Sequence, residues 1–212
     1  MIVPMFPLQS ALLPGEMLPL RIFEPRYTRL VQDCLAAEVP EFGVVLISRG
    51  SEVGGDDARN TVGALARITH HMDLGDGQYE LLAQIGERLR VRSWLPEAPY
   101  PRAMVELWPD ERGGEESPVT DDRIGQVVDA IFALYQRMAR ARGAQVRPDV
   151  LAVDAATADD PGRHLYALAA RVPMGAADRY AVLAAPTFSA RADALLDAIA
   201  TVAAMVDFQL GR

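Results

Sequence analysis

Lysine is absent from this chain of 212 residues, and all 21 of its basic side chains are arginine. A phosphate-binding loop of the form GxxxxGKS or GxxxxGKT needs a lysine that reaches the bound phosphates. The sequence therefore excludes that class of nucleotide site. A catalytic pair of serine and lysine is excluded for the same reason.

Cysteine and long apolar runs are also scarce. The single cysteine, Cys34, cannot form an internal disulfide, and it lies on the apolar face of a predicted helix. No uninterrupted apolar run reaches the ~18 residues of a membrane span. The richest stretch, 192–206, is broken by Asp193 and Asp197. The first residues lack the pattern of a signal peptide. These features predict a cytoplasmic protein with no membrane partner.

The charge balance is acidic, with a formal net charge of -8. Proteins that bind nucleic acids usually present a basic face, so no nucleic-acid partner is expected. Half of the residues (50%) are hydrophobic, which is typical of a globular protein. Arg88, Arg90 and Arg92 alternate along a predicted strand and are expected to share one of its faces.

The sequence contains no recognisable catalytic or metal-binding motif. Neighbouring strand residues point to opposite faces, so His70 and His71 cannot readily bind one ion, and His164 has no suitable companion at helical spacing. The motifs CxxC, HExxH and GxSxG are absent. The sequence therefore predicts no metal, no cofactor and no catalytic residue. A catalytic triad whose members lie far apart in sequence stays open.

Strands are predicted for most of the first half of the chain. Apolar runs between turn residues predict strands at 1–8, 17–23, 42–48, 62–72, 79–85, 89–94 and 103–108. Asp76-Gly77 predicts a hairpin between two of them. One helix is predicted at Glu24–Glu38, with Pro25 in its first turn. Short strands of this kind favour a barrel or a sandwich.

The composition changes after residue 110. The charged, glycine-containing stretch at 111–119 is predicted to be a linker. The alanine-rich remainder carries apolar residues at helical spacing, which predicts helices at 120–143, 163–172, 176–185 and 189–210. Strands followed by helices indicate an α+β fold, here divided into subdomains at 1–110 and 120–212.

An ordered series of motifs carries a family resemblance. Its members are MFPL (5–8), LLPGEMLPLRIFEPRY (12–27), FGVVLI (42–47), VGALA (62–66), DGQYELLAQIGERLRVRSW (76–94) and YPRA (100–103). In this series the chain resembles the LON substrate-binding domain, the N-terminal domain of the Lon proteases (peptidase S16 family), which also occurs as a free-standing protein. The resemblance implies a partly open, PUA-like β-barrel with one embedded helix, followed by an α-helical bundle, without the ATPase and protease parts.

The resemblance also implies non-catalytic binding of unfolded or tagged polypeptides, with a separate protease as a further candidate partner and a monomer or weak homo-oligomer as the assembly. A scaffold or self-association protein is one alternative. It would use the helix at 189–210 if Ala190, Ala194, Ala198 and Met205 lined an exposed apolar patch. An uncatalogued hydrolase is a less favoured alternative, which would need convergent titratable groups with shifted pKa values.

Eight residues are candidates for substrate binding under this resemblance. They lie in the Leu12–Tyr27 run, in a glycine-containing loop and near a strand end, and are Arg21, Phe23, Glu24, Arg26, Tyr27, Glu52, Gly54 and Trp94. The charged members could instead form ion pairs that fix the helix to the barrel, and Phe23 and Tyr27 could be core residues. Trp94 and Trp108 would suit peptide capture if they were exposed at the barrel rim.

Overall fold

Strands make up the first half of the chain and helices make up the second, which confirms the predicted α+β class. The computed structural model describes residues 1–49, 58–111, 121–209 and 211. These residues cluster into two units, Met1–Pro109 and Asp110–Arg212. No helix within the described ranges is long and apolar enough to cross a membrane.

The first unit is built on one mixed sheet of six strands. Its elements are β1 (Ile2–Leu8), β2 (Met17–Ile22), α1 (Pro25–Ala36), β3 (Glu41–Arg49), β4 (Ala58–Gly75), β5 (Gln78–Leu95) and β6 (Arg102–Leu107). The strand order is β2-β5-β4-β3-β1-β6, and β6 also pairs with the second half of β5. Through this additional pairing, β5, β4, β3, β1 and β6 form a ring of hydrogen-bonded neighbours, and β2 lies outside that ring. Only β1 and β3 run parallel among the described strands.

The β4–β5 hairpin is longer than the sequence predicts. β5 is a single strand of 18 residues, so the prediction of separate strands at 79–85 and 89–94 is wrong. The residues between them, 86–88, stay in the strand because the ladder shifts register between Ala64 and Ala66, as it does at a β-bulge. The turn at Asp76-Gly77 is present, with positive φ at both residues (52° and 74°). Positive φ at both positions characterises the tight turn that suits a twisted hairpin.

Helix α1 covers the inner side of this sheet. Tyr27, Leu30, Val31 and Cys34 are buried on one helical face and join a core with residues of β1 to β5. Two hydrogen bonds fix the helix at its ends. Thr28 Oγ1 donates to the Gly77 carbonyl oxygen (2.5 Å), and Tyr100 Oη donates to Asp33 Oδ2 (2.7 Å). The helix therefore holds the hairpin turn in place.

The second unit is helical. Its elements are α2 (Asp121–Arg140), α3 (Ala155–Ala158), α4 (Pro161–Ala169), α5 (Ala176–Ala184) and α6 (Phe188–Gln209). The short helix α3 is absent from the sequence prediction, which left its segment irregular. Asp154 caps the start of this helix, because its carboxylate accepts a hydrogen bond from the Thr157 amide (2.9 Å).

A buried arginine organises the start of this unit. Arg191 is fully buried near the beginning of α6. Its Nη1 donates to Asp110 Oδ2 (2.9 Å), its Nη2 contacts the other carboxylate oxygen, and its guanidinium lies 4.2 Å from the Tyr166 ring centroid. A two-point arginine–carboxylate contact of this kind fixes both partners in orientation. The pair ties Asp110, the first residue of the unit, to α6.

We expect Gly77→Ala to destabilise the hairpin. A residue with a side chain is disfavoured at φ +74°, and the cost is about 1–2 kcal/mol. Chemical denaturation monitored by circular dichroism measures the free energy of unfolding. Gly86→Ala is the control, because its new methyl group would lie 3.7 Å from the nearest other atom, at ordinary contact distance. Equal stability of the two variants would contradict the prediction.

We expect Asp110→Ala to destabilise the second unit by about 3 kcal/mol, because it leaves the buried Arg191 guanidinium without its carboxylate. The control is Asp193→Ala, which removes an exposed partner of Arg123 and should cost less than about 1 kcal/mol. Urea denaturation curves give both values. A loss at Asp110 no larger than that at Asp193 would show that the contact between Asp110 and the buried Arg191 is not stabilising.

Candidate functional site

The sheet of the first unit has an outer side opposite α1, formed by β2, β5 and β4. Along β2, Leu18 and Ile22 are buried while the alternate residues point outward. β5 follows the same alternation. Residues directly opposite each other on paired strands share a face. We define the outer face by these outward positions together with the exposed Phe23, the residue next to the end of β2: Met17, Pro19, Arg21, Phe23, His70, Met72, Glu80, Leu82 and Gln84.

The cross-strand register arranges this face in rows. One row is formed by Pro19, Leu82 and His70, and the next by Arg21, Glu80 and Met72. Phe23 follows β2 directly. Three large apolar side chains stand out because they are about half exposed or more: Met17 (46%), Phe23 (61%) and Met72 (58%). Exposed apolar groups gathered on one surface commonly mark a binding site.

Two open strand edges border the outer face. Within the described strands, β2 pairs with β5 alone, so its other edge is free. β3 pairs with β4 only as far as Arg67, and the Ile68 amide then donates to the Pro40 carbonyl oxygen (2.9 Å). The remaining residues of β4, 69–75, are paired on the β5 side only among the described strands. Edges of this kind can hydrogen-bond an added extended chain.

The five predicted site residues of the Leu12–Tyr27 run divide into two groups. Arg21 and Phe23 are exposed on the outer face. Glu24 and Arg26 lie at the start of α1, where Arg26 Nε donates to Glu24 Oε2 (3.1 Å). Tyr27 is only 4% exposed, and its ring lies 4.2 Å from that of Phe6. Tyr27 therefore contributes to the core beneath the point where β2 leads into α1.

The remaining predicted residues do not lie on the outer face or are not described. Trp94 pairs with Ala103 of β6, in the other half of β5, and packs against a separate apolar cluster. The Arg59 guanidinium covers its ring at 4.7 Å. Glu52 and Gly54 lie outside the residues that the structure describes.

Trp108 is buried rather than exposed at a rim. The guanidinium groups of Arg88 and Arg90 lie 4.4 and 3.8 Å from its ring centroid. These two arginines share a face of β5, as the alternation predicts. The third, Arg92, instead pairs with Glu106 at 2.5 Å.

Among the residues that the structure describes, the shifted groups Cys34 and Tyr100 are poorly suited to act as nucleophiles. Burial, followed by the charge of Asp33, raises the pKa of the Cys34 thiol to about 12, and its Sγ donates to the Glu41 carbonyl oxygen. Burial and the hydrogen bond to Asp33 raise the pKa of Tyr100 to about 12 as well. Both groups are therefore protonated at neutral pH, which disfavours nucleophilic attack.

The described residues also give no support for a metal site or for catalysis by His164. Burial and the positive charge of Arg171 lower the pKa of His164. In the described ranges, no group of three or more His, Cys, Asp or Glu side chains is arranged to hold a metal ion.

Sequence reasoning identified only Arg21 and Phe23 of the outer face and missed the other seven members, four of which are apolar: Met17, Pro19, Leu82 and Met72. The available signal was the period of two in β2 together with the hairpin at Asp76-Gly77, which places β4 beside β5. The pairing of β2 with β5 brings these dispersed residues together, and the sequence does not specify that long-range register.

Comparison with known proteins identifies the family. The model of the ATP-dependent protease La (LON) substrate-binding domain matches residues 2–201. The Lon protease of Roseiflexus castenholzii is 27% identical over 183 residues, which are 86% of this chain and 22% of that protein. Lon protease 2 of Sorangium cellulosum is 33% identical over 111 residues, which are 51% of this chain and 14% of that protein. The chain thus spans less than a quarter of the length of these relatives.

Solved structures share the fold. A Lon N-terminal domain protein from Xanthomonas campestris has a TM-score of 0.63 at 23% identity, covering 93% of this chain and 98% of that one. The N-terminal domain of the Mycobacterium avium complex Lon protease also has a TM-score of 0.63, at 15% identity, covering 94% and 98%. Because the family model covers nearly the whole chain, the resemblance seen in the sequence is confirmed: this chain belongs to the LON substrate-binding domain family.

Proposed function

We propose that this chain is a non-catalytic polypeptide-binding module, and that it captures unfolded or tagged segments on its outer face. The observation that carries the proposal is the exposure of three large apolar side chains, each about half exposed or more, on or next to the two strands that flank β5: Met17 on β2, Phe23 directly after β2, and Met72 on β4. Unfolded chains expose the apolar side chains that such a surface can cover. The family's description as a substrate-binding domain supports the same function.

The proposed mode of binding combines side-chain and backbone contacts. Apolar side chains of the ligand would pack on the outer face, and its backbone would pair with the free edge of β2 or of residues 69–75 of β4. Methionine side chains are flexible and polarizable, so Met17 and Met72 can adjust to ligands of different shape. A surface of this kind favours broad recognition over selection of one sequence.

Binding to any one short peptide should be weak. The ligand loses conformational freedom when it is ordered on the surface, and that loss offsets part of the apolar gain. We propose a dissociation constant near or above about 1 μM, equivalent to about -8 kcal/mol or a weaker binding free energy.

Delivery to a protease is part of the proposal. The relatives that match this chain are Lon proteases, and the matched part is a small share of each. We propose that the bound polypeptide passes from this module to proteolytic machinery and that the module itself breaks no bond. Cytoplasmic residence, predicted from the sequence, belongs to the same proposal.

We expect Phe23→Ala to weaken binding of an unfolded polypeptide by about tenfold, because removal of the ring takes away apolar surface that the ligand would cover. Fluorescence anisotropy with a labelled, permanently unfolded protein measures the affinity. Ile2→Ala is the matched control, because Ile2 is equally exposed (60%) but lies on β1. Its affinity should equal that of the wild type.

Two results would count against this function. Absence of saturable binding by the wild-type protein at high micromolar concentration would refute polypeptide capture. Equal losses for Phe23→Ala and Ile2→Ala would refute the assignment to the outer face. Both variants need unchanged circular dichroism spectra for the comparison.

Self-association is a second candidate function. Self-association through α6 would need an exposed apolar face on that helix. Ala198 is buried, whereas Met205 is 48% exposed and Phe208, near the end of α6, is 85% exposed. Met205 and Phe208 are three residues apart on α6 and together offer an exposed apolar surface for contact between two copies.

If α6 mediates self-association, sedimentation equilibrium of the wild type should show a concentration-dependent dimer that Phe208→Ser abolishes. Loss of the Phe208 ring removes the most exposed apolar group of that helix. Phe23→Ser should leave the dimer unchanged. A wild-type protein that stays monomeric at millimolar concentration would remove this candidate.

A further inference from the structure

Two of the three large exposed apolar side chains on the outer face are methionines. Met17 and Met72 present their thioethers at the surface, whereas Met5 in the same unit is fully buried. Exposed methionine is readily oxidised to its sulfoxide, and reductases can reverse the change. The same exposure that makes these residues available to a ligand makes them available to an oxidant.

We propose that Met17 and Met72 are oxidation sites at which a peroxide reversibly switches off polypeptide capture by the outer face. This inference rests on the proposed function. In the reaction, a lone pair of the thioether sulfur attacks one peroxide oxygen, the O–O bond breaks and an S–O bond forms. The sulfur loses two electrons, hydroxide leaves from the peroxide, and this hydroxide takes up the proton of the transferred oxygen and departs as water.

The physical effect is a change in polarity at fixed geometry. A sulfoxide is a strong hydrogen-bond acceptor, and covering it with an apolar ligand side chain removes its water without providing a donor. Met17 is directly opposite Gln84 in the strand register. Its sulfoxide can accept a hydrogen bond from the Gln84 amide across the ~5 Å that separates such pairs. A ligand would have to displace that bond or water at both sites.

Because of where the two methionines lie, the addition of one oxygen atom to each is expected to weaken polypeptide binding strongly. Met17 lies on β2 opposite Gln84, and Met72 lies on β4 in the row of Arg21 and Glu80. The two methionines therefore lie on either side of the row formed by Pro19, Leu82 and His70, on different strands. Oxidation of both would leave Phe23 as the only member of the exposed apolar trio that is unchanged.

The test begins with limited oxidation of the wild-type protein by hydrogen peroxide. Peptide mapping by mass spectrometry should find one added oxygen on Met17 and on Met72 but none on Met5. Anisotropy with the same unfolded polypeptide should then show about tenfold weaker binding, with the circular dichroism melting curve unchanged. Treatment with methionine sulfoxide reductases should restore the original affinity.

Variants separate oxidation at these sites from general damage. The double variant Met17→Leu, Met72→Leu should bind the polypeptide before and after peroxide with the same affinity. The matched control, Met104→Leu, removes a methionine of β6 that is as exposed as Met17 and should stay as sensitive to peroxide as the wild type. Met72→Gln, which places a polar group there without any oxidant, should itself weaken binding.

The possible outcomes separate failure of the oxidation switch from failure of the proposed function. Full oxidation of Met17 and Met72 with unchanged affinity overturns the switch, as does equal peroxide sensitivity of the double leucine variant and the wild type. In both cases polypeptide binding by the unoxidised protein still stands, so the proposed function survives. Absence of binding before oxidation overturns the proposed function and the switch together.

Discussion

The hydrogen bonding of β5 to three other strands is the interaction on which the first unit depends. β5 pairs with β2 and β4 along its first half, and with β4 and β6 further on. Its inward residues supply part of the core beneath α1, and its outward residues form the centre of the outer face. A shift of one residue in any of these ladders would exchange the two sets of side chains. The register of β5 therefore determines both the stability and the surface chemistry of the unit.

Local patterns in the sequence predict much of this fold, because turns and amphipathic helices depend on neighbouring residues. The Asp76-Gly77 turn and the buried face of α1 are examples. The division of β5 in two was wrong, since a bulge absorbs residues 86–88 that locally look like a break. The candidate site was predictable only where it coincides with the Leu12–Tyr27 run. Met72 and Leu82 reach it through long-range strand pairing, which no local pattern encodes.

Arginine takes structural roles in this chain for which lysine is less suited. Guanidinium groups lie against aromatic rings at five contacts of 3.8 to 4.7 Å: Arg26 with Tyr27, Arg59 with Trp94, Arg88 and Arg90 with Trp108, and Arg191 with Tyr166. A flat, delocalised cation can stack on a ring and bind a carboxylate at the same time, which an ammonium group does poorly. This chain has no lysine, and it packs the flat guanidinium groups of its arginines against aromatic rings.

The two open edges beside the outer face can promote aggregation as well as binding of an extended chain. A free strand edge next to exposed apolar side chains is a template on which copies of the same protein can polymerise into aggregates. Pro19 lies within the β2 edge and has no N–H to donate, and Asp73 places a charge on the β4 edge. Natural sheets discourage such pairing by placing proline or charged residues on their edge strands. Pro19 and Asp73 are therefore expected to disfavour growth of such aggregates along these edges.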